Sequence, residues 1–144
     1  MAFFLSYKYI ISSFIKLLQK NGLKESSELC LNFCFCFVKK SIRKKPFFAI
    51  TESFYKSKPF CEVKGIKISG INYKLPVEIK PERQKSIFLR WLLTSSLKNS
   101  NIMVSKNISK EIISVFSFSS KSLKLCDNFH KTAETNKVYV NYRF

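Results

Sequence analysis

The hydrophobic pattern of the chain changes from strand-like to helix-like at Pro81, and this change constrains the fold more than any other feature. Upstream, apolar and polar residues alternate through INYKLPVEIK (71–80), the period of two that gives a strand one apolar and one solvated face. Downstream, proline suits the first helical position, and the carboxylate of Glu82 suits a helix N-terminus. The apolar side of this helix is expected to carry Phe88, Trp91, Leu92 and Ser95. The sequence therefore predicts a strand that runs directly into a helix.

The residues before this strand predict its partner in a β-hairpin that covers about residues 60–79. An alternation that starts at Cys61 and Val63 shifts phase after Gly65, as a β-bulge at a glycine would. Ser69-Gly70 then makes a two-residue turn. Because Pro76 has no N–H for a strand partner, the pattern indicates a two-stranded arm and not the middle of a larger sheet.

Three helices are predicted before the hairpin. The first ends at Asn21-Gly22. The second is capped by Ser26 or Ser27 and lasts until the basic run 39–45, which is interpreted as a loop. The third begins at Pro46 and ends before Lys58-Pro59. The residues expected to face the core are Ile10, Phe14, Leu17 and Leu18 in the first helix, Leu29, Phe33, Cys36 and Phe37 in the second, and Phe47, Ile50 and Phe54 in the third.

Two more helices are predicted after the helix that starts at Pro81. The polar stretch 98–101 breaks the pattern. A fifth helix follows, marked by Val104, Ile108, Ile112 and Val115. Residues 119–124 are interpreted as a loop, and Asp127 or Asn128 as the cap of a sixth helix whose one side carries Phe129, Ala133 and Val140. A chain of 144 residues has room for one hydrophobic core. The sequence thus predicts a single, mainly α domain over residues 1–144, with six helices and a protruding two-stranded β-hairpin between helices 3 and 4.

The charge balance indicates a polyanionic partner. The chain has 26 Lys and Arg against 9 Asp and Glu, a formal net charge of +17, and a field of this strength favours RNA, DNA or an anionic membrane surface. The apolar start of the chain is interrupted by Lys8 and Lys16 and is too short and polar for a spanning helix. Its lysines and serines, with no acid, are also typical of a removable transit peptide.

The pattern of chemically reactive residues is not that of an enzyme or a metal protein. Five cysteines are an odd number, scattered over the chain, so reduced thiols are expected. On a helix Cys30 and Cys34 share a face while Cys36 turns away, and no second ligand pair follows, so small core residues are the better interpretation. The chain has one histidine, His130, and its acids show no paired spacing suited to acid and base work. We therefore predict no catalytic residue, no metal and no cofactor.

Residues 61–91 and the C-terminal segment resemble the S-seven family of small-subunit ribosomal proteins. The matching motifs are Glu62-Val63-Lys64, Ser69-Gly70, the stretch Tyr73 to Glu78 (YKLPVE), Pro81-Glu82-Arg83, Arg90-Trp91 and the closing HKTAETNKVYVNYRF, with His130, Ala133, Glu134, Asn136, Lys137, Tyr142 and Arg143 in the matching places. A weaker match, FIKLLQKNG (14–22), resembles the end of the family's first helix, so the transit-peptide interpretation is the less favoured one. The likeness covers about residues 10–144.

The resemblance implies a structural protein of the small ribosomal subunit. Such a protein binds and organises the head domain of the small-subunit rRNA, supports head assembly, and lies beside exit-site tRNA, mRNA and neighbouring head and platform proteins. The basic N-terminal arm of bacterial members is expected to be missing, because few residues precede the first helix. A composition rich in Lys, Ile, Phe, Ser and Asn is typical of an AT-rich organelle genome, which indicates a mitochondrion or, alternatively, a plastid.

Candidate RNA-binding residues follow from charge and from the resemblance together. Arg83 and Arg90 are expected on a helix face away from the apolar stripe, without internal partners, and a guanidinium matches phosphate bidentately. His130 is expected near a helix start, against RNA backbone or merely on the surface, and Tyr142-Arg143 is expected to reach outward. The residues expected to bind rRNA are Lys20, Lys24, Lys80, Arg83, Arg90, Lys124, His130, Lys131, Lys137, Tyr142 and Arg143.

The hairpin tip is the second candidate site. The resemblance implies that the tip lies beside exit-site tRNA and mRNA. The residues expected there are Lys64, Lys67, Ile68, Ser69, Gly70 and Ile71. The tip is less basic than the bacterial pattern, which has paired arginines where Ile66 and Lys67 stand. The hairpin lysines also protect an edge strand from aggregation, and both interpretations hold together.

Two other classes of protein also fit the charge. A basic amphipathic protein on an anionic membrane surface would explain the Phe-rich start, but it would not explain the hairpin and the closing motif. A helical DNA-binding domain is the other alternative.

Overall fold

The described residues form six α-helices, the first five of which enclose the core, and a β-hairpin is inserted between the third and fourth helices. The computed structural model describes residues 2–43, 45–97 and 103–142. The elements are α1 (Ala2–Leu18), α2 (Lys24–Ile42), α3 (Pro46–Ser57), β1 (Cys61–Ile68), β2 (Ile71–Glu78), α4 (Pro81–Leu97), α5 (Val104–Phe116), α6 (Lys121–Thr135) and a C-terminal 3-10 helix (Lys137–Tyr142). The predicted fold class, six helices with a two-stranded hairpin between the third and fourth, is confirmed. The predicted break at 98–101 lies outside the described residues.

Local sequence signals place several of these boundaries. After α1 ends, Asn21 and Gly22 have φ values of 50° and 77°, the left-handed conformation that ends helices. Pro46 and Pro81 each occupy the first position of a helix. Ser69 and Gly70 both have positive φ, 50° and 87°, as a tight type I′ hairpin turn requires.

The core forms where α4 and α5 pack against α1, α2 and α3. Phe88 of α4 is 1% exposed and meets Phe54 of α3 edge to face, with ring centroids 5.6 Å apart. Ile108 and Ile112 of α5 are fully buried, as the apolar spacing predicts. The same core includes Ile10, Phe14, Leu31, Cys34, Val38, Ala49, Ile50, Leu89, Leu92 and Leu93.

The two strands pair without the predicted bulge. The register runs unbroken from Cys61 opposite Glu78 to Ile68 opposite Ile71, and Gly65 is not in the left-handed region. The bulge prediction is wrong because the outer half of the hairpin is solvated: residues 64–67 are exposed, so burial does not force one apolar face there. Directly opposite residues share a face, which places Glu62 beside Val77.

Helix α2 buries a different face from the predicted one. Leu31, Cys34 and Val38 are buried, whereas Leu29 and Phe33 are 57% and 58% exposed and Cys36 and Phe37 also lie outside the core. The helix is apolar on both sides, so spacing alone does not select the side that packs on α5.

The predicted ends of α2 are also wrong. The helix begins at Lys24 and has no side-chain cap, and the Ser27 hydroxyl donates to the carbonyl of Leu23 at 3.1 Å. At the other end, α2 continues into the basic run as far as Ile42. Phe47, predicted to face the core from α3, is 40% exposed.

The cap of helix α6 is Ser120, seven or eight residues before the predicted caps Asp127 and Asn128. The Ser120 hydroxyl accepts from the Leu123 N–H at 3.1 Å. The buried carboxylate of Glu111 accepts from the Ser122 N–H at 3.1 Å and from its hydroxyl at 3.0 Å. Residues 121–124 of the predicted loop 119–124 are therefore the first turn of a helix, and Val140 lies in the 3-10 helix instead of α6.

Candidate RNA-binding surface

The base of the hairpin is held against α4 by a partly buried ion pair. The Glu62 side chain is 6% exposed, and its carboxylate lies 2.7 Å from Arg83 Nε and 3.6 Å from Lys64 Nζ. The expectation that Arg83 lacks an internal partner is therefore wrong. The Arg83 side chain is nevertheless 60% exposed, so its outer guanidinium edge still faces solvent while its Nε orients the hairpin.

Replacing Arg83 by glutamine is expected to lower the free energy of unfolding. Breaking a fully buried pair costs about 3–5 kcal/mol, but Arg83 is mostly exposed and Lys64 remains close, so we expect about 1–3 kcal/mol. Glu62→Gln in the same chain should recover part of this loss, because no buried charge is then left unpaired. Urea unfolding of the two single variants and the double variant measures the coupling; strictly additive effects would show that the pair contributes nothing.

The other side of the hairpin base is held against α6 by His130. The backbone N–H of Phe60 donates to His130 Nε2 at 3.1 Å, and the two rings stack with centroids 5.8 Å apart. Cys126 Sγ lies 3.9 Å from Nδ1. His130 thus lies well inside α6, not near its start, and its Nε2 accepts a hydrogen bond within the protein.

A cavity of about 520 Å³ lies between this hairpin base, α6 and the 3-10 helix. It joins two of the predicted residues, His130 and Lys137, with Phe60. Glu78 and Glu134 also line it, so the cavity wall is not uniformly basic. Lys58, which is not among the predicted residues, makes a cation–π contact with Phe60, with Nζ 5.2 Å from the ring centroid.

The remaining predicted cations of α4 and α6 are exposed. Trp91 packs edge to face on Phe129 at 5.3 Å, which joins α4 to α6, while its neighbour Arg90 is exposed. No ion pair joins Arg90 to a carboxylate within residues 2–43, 45–97 and 103–142. The other predicted cations around these elements are also exposed, namely Lys80, Lys124, Lys131 and Lys137.

Two predicted residues lie in another part of the fold. Lys20 and Lys24 flank the connection between α1 and α2, where Lys24 pairs with Glu28 at 3.6 Å and Lys20 lines a second cavity of about 270 Å³. Tyr142 ends the 3-10 helix, and Arg143 lies outside the described residues. The structure therefore groups some of the predicted residues around the hairpin base and separates others from it.

The hairpin tip is solvated, as a protruding arm requires. Lys64, Lys67, Ser69, Gly70 and Ile71 are exposed, and Ile68 is half-buried. Further down, Tyr73 packs against Tyr139 of the 3-10 helix at 5.5 Å, and Leu75 is fully buried. The base of the arm belongs to the body of the protein, and the tip extends from it.

The buried thiols have low reactivity. Burial raises the pKa of Cys34 to about 12, and burial, with a smaller effect of Asp127, raises the pKa of Cys126 to about 11. Both thiols are therefore protonated at neutral pH, whereas metal ligation requires thiolate. Within the described residues, no three His, Cys, Asp or Glu side chains are placed to hold a metal.

The described helices also include none that is long and apolar enough to cross a bilayer.

Comparison with known proteins finds a family and relatives that match most of the chain. The family described as Ribosomal protein S7p/S5e matches residues 4–137. A small ribosomal subunit protein uS7 from Lactobacillus delbrueckii subsp. bulgaricus is 32% identical over 136 residues, which cover 94% of this chain and 86% of the relative. The uS7 of Phytoplasma mali is 30% identical over 94% of this chain and 86% of its own length. The uS7m of Reclinomonas americana is 29% identical over 94% of this chain and 85% of its own. The chain therefore belongs to the Ribosomal protein S7p/S5e family, whose members are structural, non-enzymatic components of the ribosome.

Proposed function

We propose that this protein is a structural constituent of the small ribosomal subunit that binds and organises the head domain of its rRNA. Family membership supports a ribosomal role, and the relatives are named as small-subunit proteins. The finer assignment to the head domain follows from the resemblance of the hairpin and the closing segment to the family pattern.

The observation that carries this proposal is positive charge that the protein does not neutralise itself. Nine carboxylates cannot balance 26 basic side chains. In the described part of the chain, ion pairs occupy four basic side chains, Lys24, Lys56, Lys64 and Arg83. The other described basic side chains form no ion pair with a carboxylate, although Lys58, Lys85 and Lys106 lie over aromatic rings. Phosphate groups can neutralise such cations, and the release of counterions supplies most of the affinity of such proteins for nucleic acid.

The hairpin base is the proposed centre of the RNA surface. Here Lys64, Lys80 and the outer edge of Arg83 surround a rigid junction of β1, α4 and α6, and Arg90 continues the surface along α4. Because the ion pair with Glu62 fixes Arg83, a phosphate meets a preoriented guanidinium. His130 supports this surface through Phe60 and is proposed to position the hairpin. We also assign RNA contacts to Lys20, Lys24, Lys124, Lys131, Lys137, Tyr142 and Arg143.

Cosedimentation and flotation test the proposal directly. The full chain is mixed with small subunits in high-magnesium buffer, and in parallel with anionic lipid vesicles, and binding to structured rRNA is compared with binding to duplex DNA at equal salt. We expect the protein to sediment with the subunits and to prefer the rRNA. Flotation with the vesicles without sedimentation would instead indicate a membrane-surface protein, and equal binding to DNA a general nucleic-acid protein.

We propose that the hairpin tip, Lys67 to Ile71, lies beside exit-site tRNA and mRNA, close to neighbouring head and platform proteins. Removing residues 67–72 and joining Ile66 to Tyr73 by an Asn-Gly turn should leave the body folded, because Ile66 and Tyr73 are already paired. Such subunits should assemble normally but show more reading-frame errors or altered tRNA release.

The control for the shortened hairpin is Lys67→Gln, which removes the charge but keeps the length of the arm. Incorporation into subunits and frame errors are measured on the same ribosomes. If the shortened protein is folded but absent from the subunits, the arm anchors assembly, and its placement at the exit site is wrong.

We propose a mitochondrial location, with a plastid as the alternative. The composition is typical of an AT-rich organelle genome, and one relative is a mitochondrial protein, uS7m. Bacterial relatives have similar identity, so location needs its own test. Mass spectrometry of ribosomes purified from each organelle should find peptides of this chain in the mitochondrial fraction; peptides in the plastid ribosomes alone would contradict this location.

A further inference from the structure

The connection between α2 and α3 gathers cations in a part of the chain that has no carboxylate. No Asp or Glu occurs between Glu28 and Glu52, and residues 39–45 contain five Lys or Arg. In the structure Lys39, Lys40, Arg43 and Lys45 are all exposed. Within the described residues none of these four forms an ion pair. Residues 39–45 therefore contribute +5 to the net charge of +17.

These cations share a cavity with an aromatic ring. A space of about 500 Å³ is lined by Lys39, Arg43, Lys45, Pro46 and Phe47. The end of α2 positions Arg43, whose N–H donates to the Lys39 carbonyl at 3.0 Å. Phe47 packs edge to face on Phe35, with centroids 5.6 Å apart, and remains 40% exposed. Two helix ends thus fix the backbone of a site that presents both positive charge and an aromatic surface.

Helix stability explains only part of this arrangement. Cations in the last turn of α2 interact favourably with the negative end of the helix dipole, which accounts for Lys39 and Lys40. Lys45, however, directly precedes α3, where a cation meets the positive end of a helix. Like charges gathered in one short segment also repel one another, and an anion bound at this corner would offset that repulsion.

We propose that this corner is an RNA site, distinct from the hairpin base. It binds a phosphate of unpaired RNA between Arg43, Lys39 and Lys45, and it binds an unpaired base against Phe47. The choice of RNA rests on the proposed function. The ring in the cavity favours a nucleotide over an acidic peptide, because base stacking on aromatic side chains is the usual device for holding single strands. An A-form duplex does not offer an unstacked base to Phe47.

The test uses the full chain and two labelled probes, a short oligouridylate and an RNA duplex of the same length. Arg43→Gln/Lys45→Gln removes two cations from the corner, and Lys110→Gln/Lys121→Gln, both exposed and elsewhere in the fold, removes two cations as the matched control. Phe47→Leu keeps an apolar side chain on Phe35 but removes the aromatic ring. Fluorescence anisotropy over a salt series gives affinity and salt slope, and circular dichroism checks that each variant is folded.

We expect the corner variant to bind oligouridylate about tenfold more weakly than the control and to lose about 0.7 of salt slope per cation. Phe47→Leu should weaken oligouridylate about tenfold, with the slope and the duplex affinity unchanged. Equal losses in the corner and control variants would show a general field and overturn the site. Competition by poly-L-glutamate as effective as that by unlabelled oligouridylate would overturn the choice of RNA.

Failure here is separable from failure of the proposed function. If the corner variants bind oligouridylate like the wild type while the wild type still sediments with small subunits, only this site is wrong. If the wild type does not associate with small subunits, the proposed function fails whatever the corner binds.

Discussion

Raising the salt concentration from about 50 to about 200 mM is expected to weaken binding of the protein to its rRNA fragment roughly 500-fold, if about five phosphates are contacted. Each contact releases condensed counterions and contributes about 0.9 to the logarithmic slope on duplex-like RNA. The physical basis is the excess of exposed cations over carboxylates around the hairpin base and along α4 and α6. Titration of a head-domain rRNA fragment at several salt concentrations measures the slope.

The salt response should also depend on which cations are removed. Arg90→Gln/Lys131→Gln is expected to lower the slope by about 1.8, or about 0.9 for each lost contact. Lys106→Gln/Lys110→Gln, both exposed on α5 and with the same change in net charge, should lower it much less. A total loss below about tenfold over the salt range would contradict the electrostatic account.

Replacing Phe88 by alanine is expected to lower the free energy of unfolding by about 3–5 kcal/mol. Phe88 is 1% exposed and packs on Phe54 between α3 and α4, so the truncation leaves a cavity at the junction of the helices. This loss is a large part of the total stability of a small domain, about 5–15 kcal/mol. Urea unfolding measures it.

Two variants on the same helix serve as references for Phe88→Ala. Arg90 is exposed, so Arg90→Gln should change the free energy of unfolding by no more than about 0.5 kcal/mol. Trp91→Ala should fall between the two, because Trp91 is only half-buried and packs on Phe129. If Arg90→Gln is as destabilising as Phe88→Ala, the division of α4 into a core face and an RNA face is wrong.

Local signals that agree with one another made the hairpin and α4 predictable from sequence. Alternation fixes the strand, Ser69-Gly70 has the backbone freedom that the turn needs, and Pro81 starts the helix where the alternation stops. The interior of α5 is predictable for the same reason, because its apolar residues follow a single helical stripe. The exception is the outer half of β1, where residues 64–67 are exposed and the change of phase at Gly65 predicted a bulge that the strand does not have.

The errors occur where several residues offer the same signal. Helix α2 has apolar residues on both sides, so Leu29 and Phe33 satisfy the helical period as well as Leu31 and Cys34 do, and only packing against α5 decides. For α6, a serine, an aspartate and an asparagine are all acceptable caps. Ser120 is selected because the buried Glu111 accepts hydrogen bonds from Ser122 in the first turn.

The candidate site was predictable in its charges but not in its contacts. An excess of lysine is visible in the composition, whereas the Glu62–Arg83 pair joins residues 21 positions apart and the Phe60–His130 bond joins residues 70 apart. Both depend on how the hairpin docks on two helices, which spacing does not reveal. The α2–α3 corner did have a sequence signal, the basic run 39–45, but as a loop it gave no reason to expect Phe47 in the same cavity.

The double attachment of the hairpin base determines how the arm responds to force. Arg83 of α4 bonds to Glu62 of β1, and His130 of α6 bonds to Phe60, the residue before β1. The arm is therefore fixed at its base and free at its tip. Strands of eight residues reach about 25 Å. A force on the tip therefore cannot rotate the arm as a rigid body unless the contacts of Arg83 and His130 break. It must bend the solvated outer half of the strands, beyond the contact of Tyr73 with Tyr139, and the bending leaves the helical body in place.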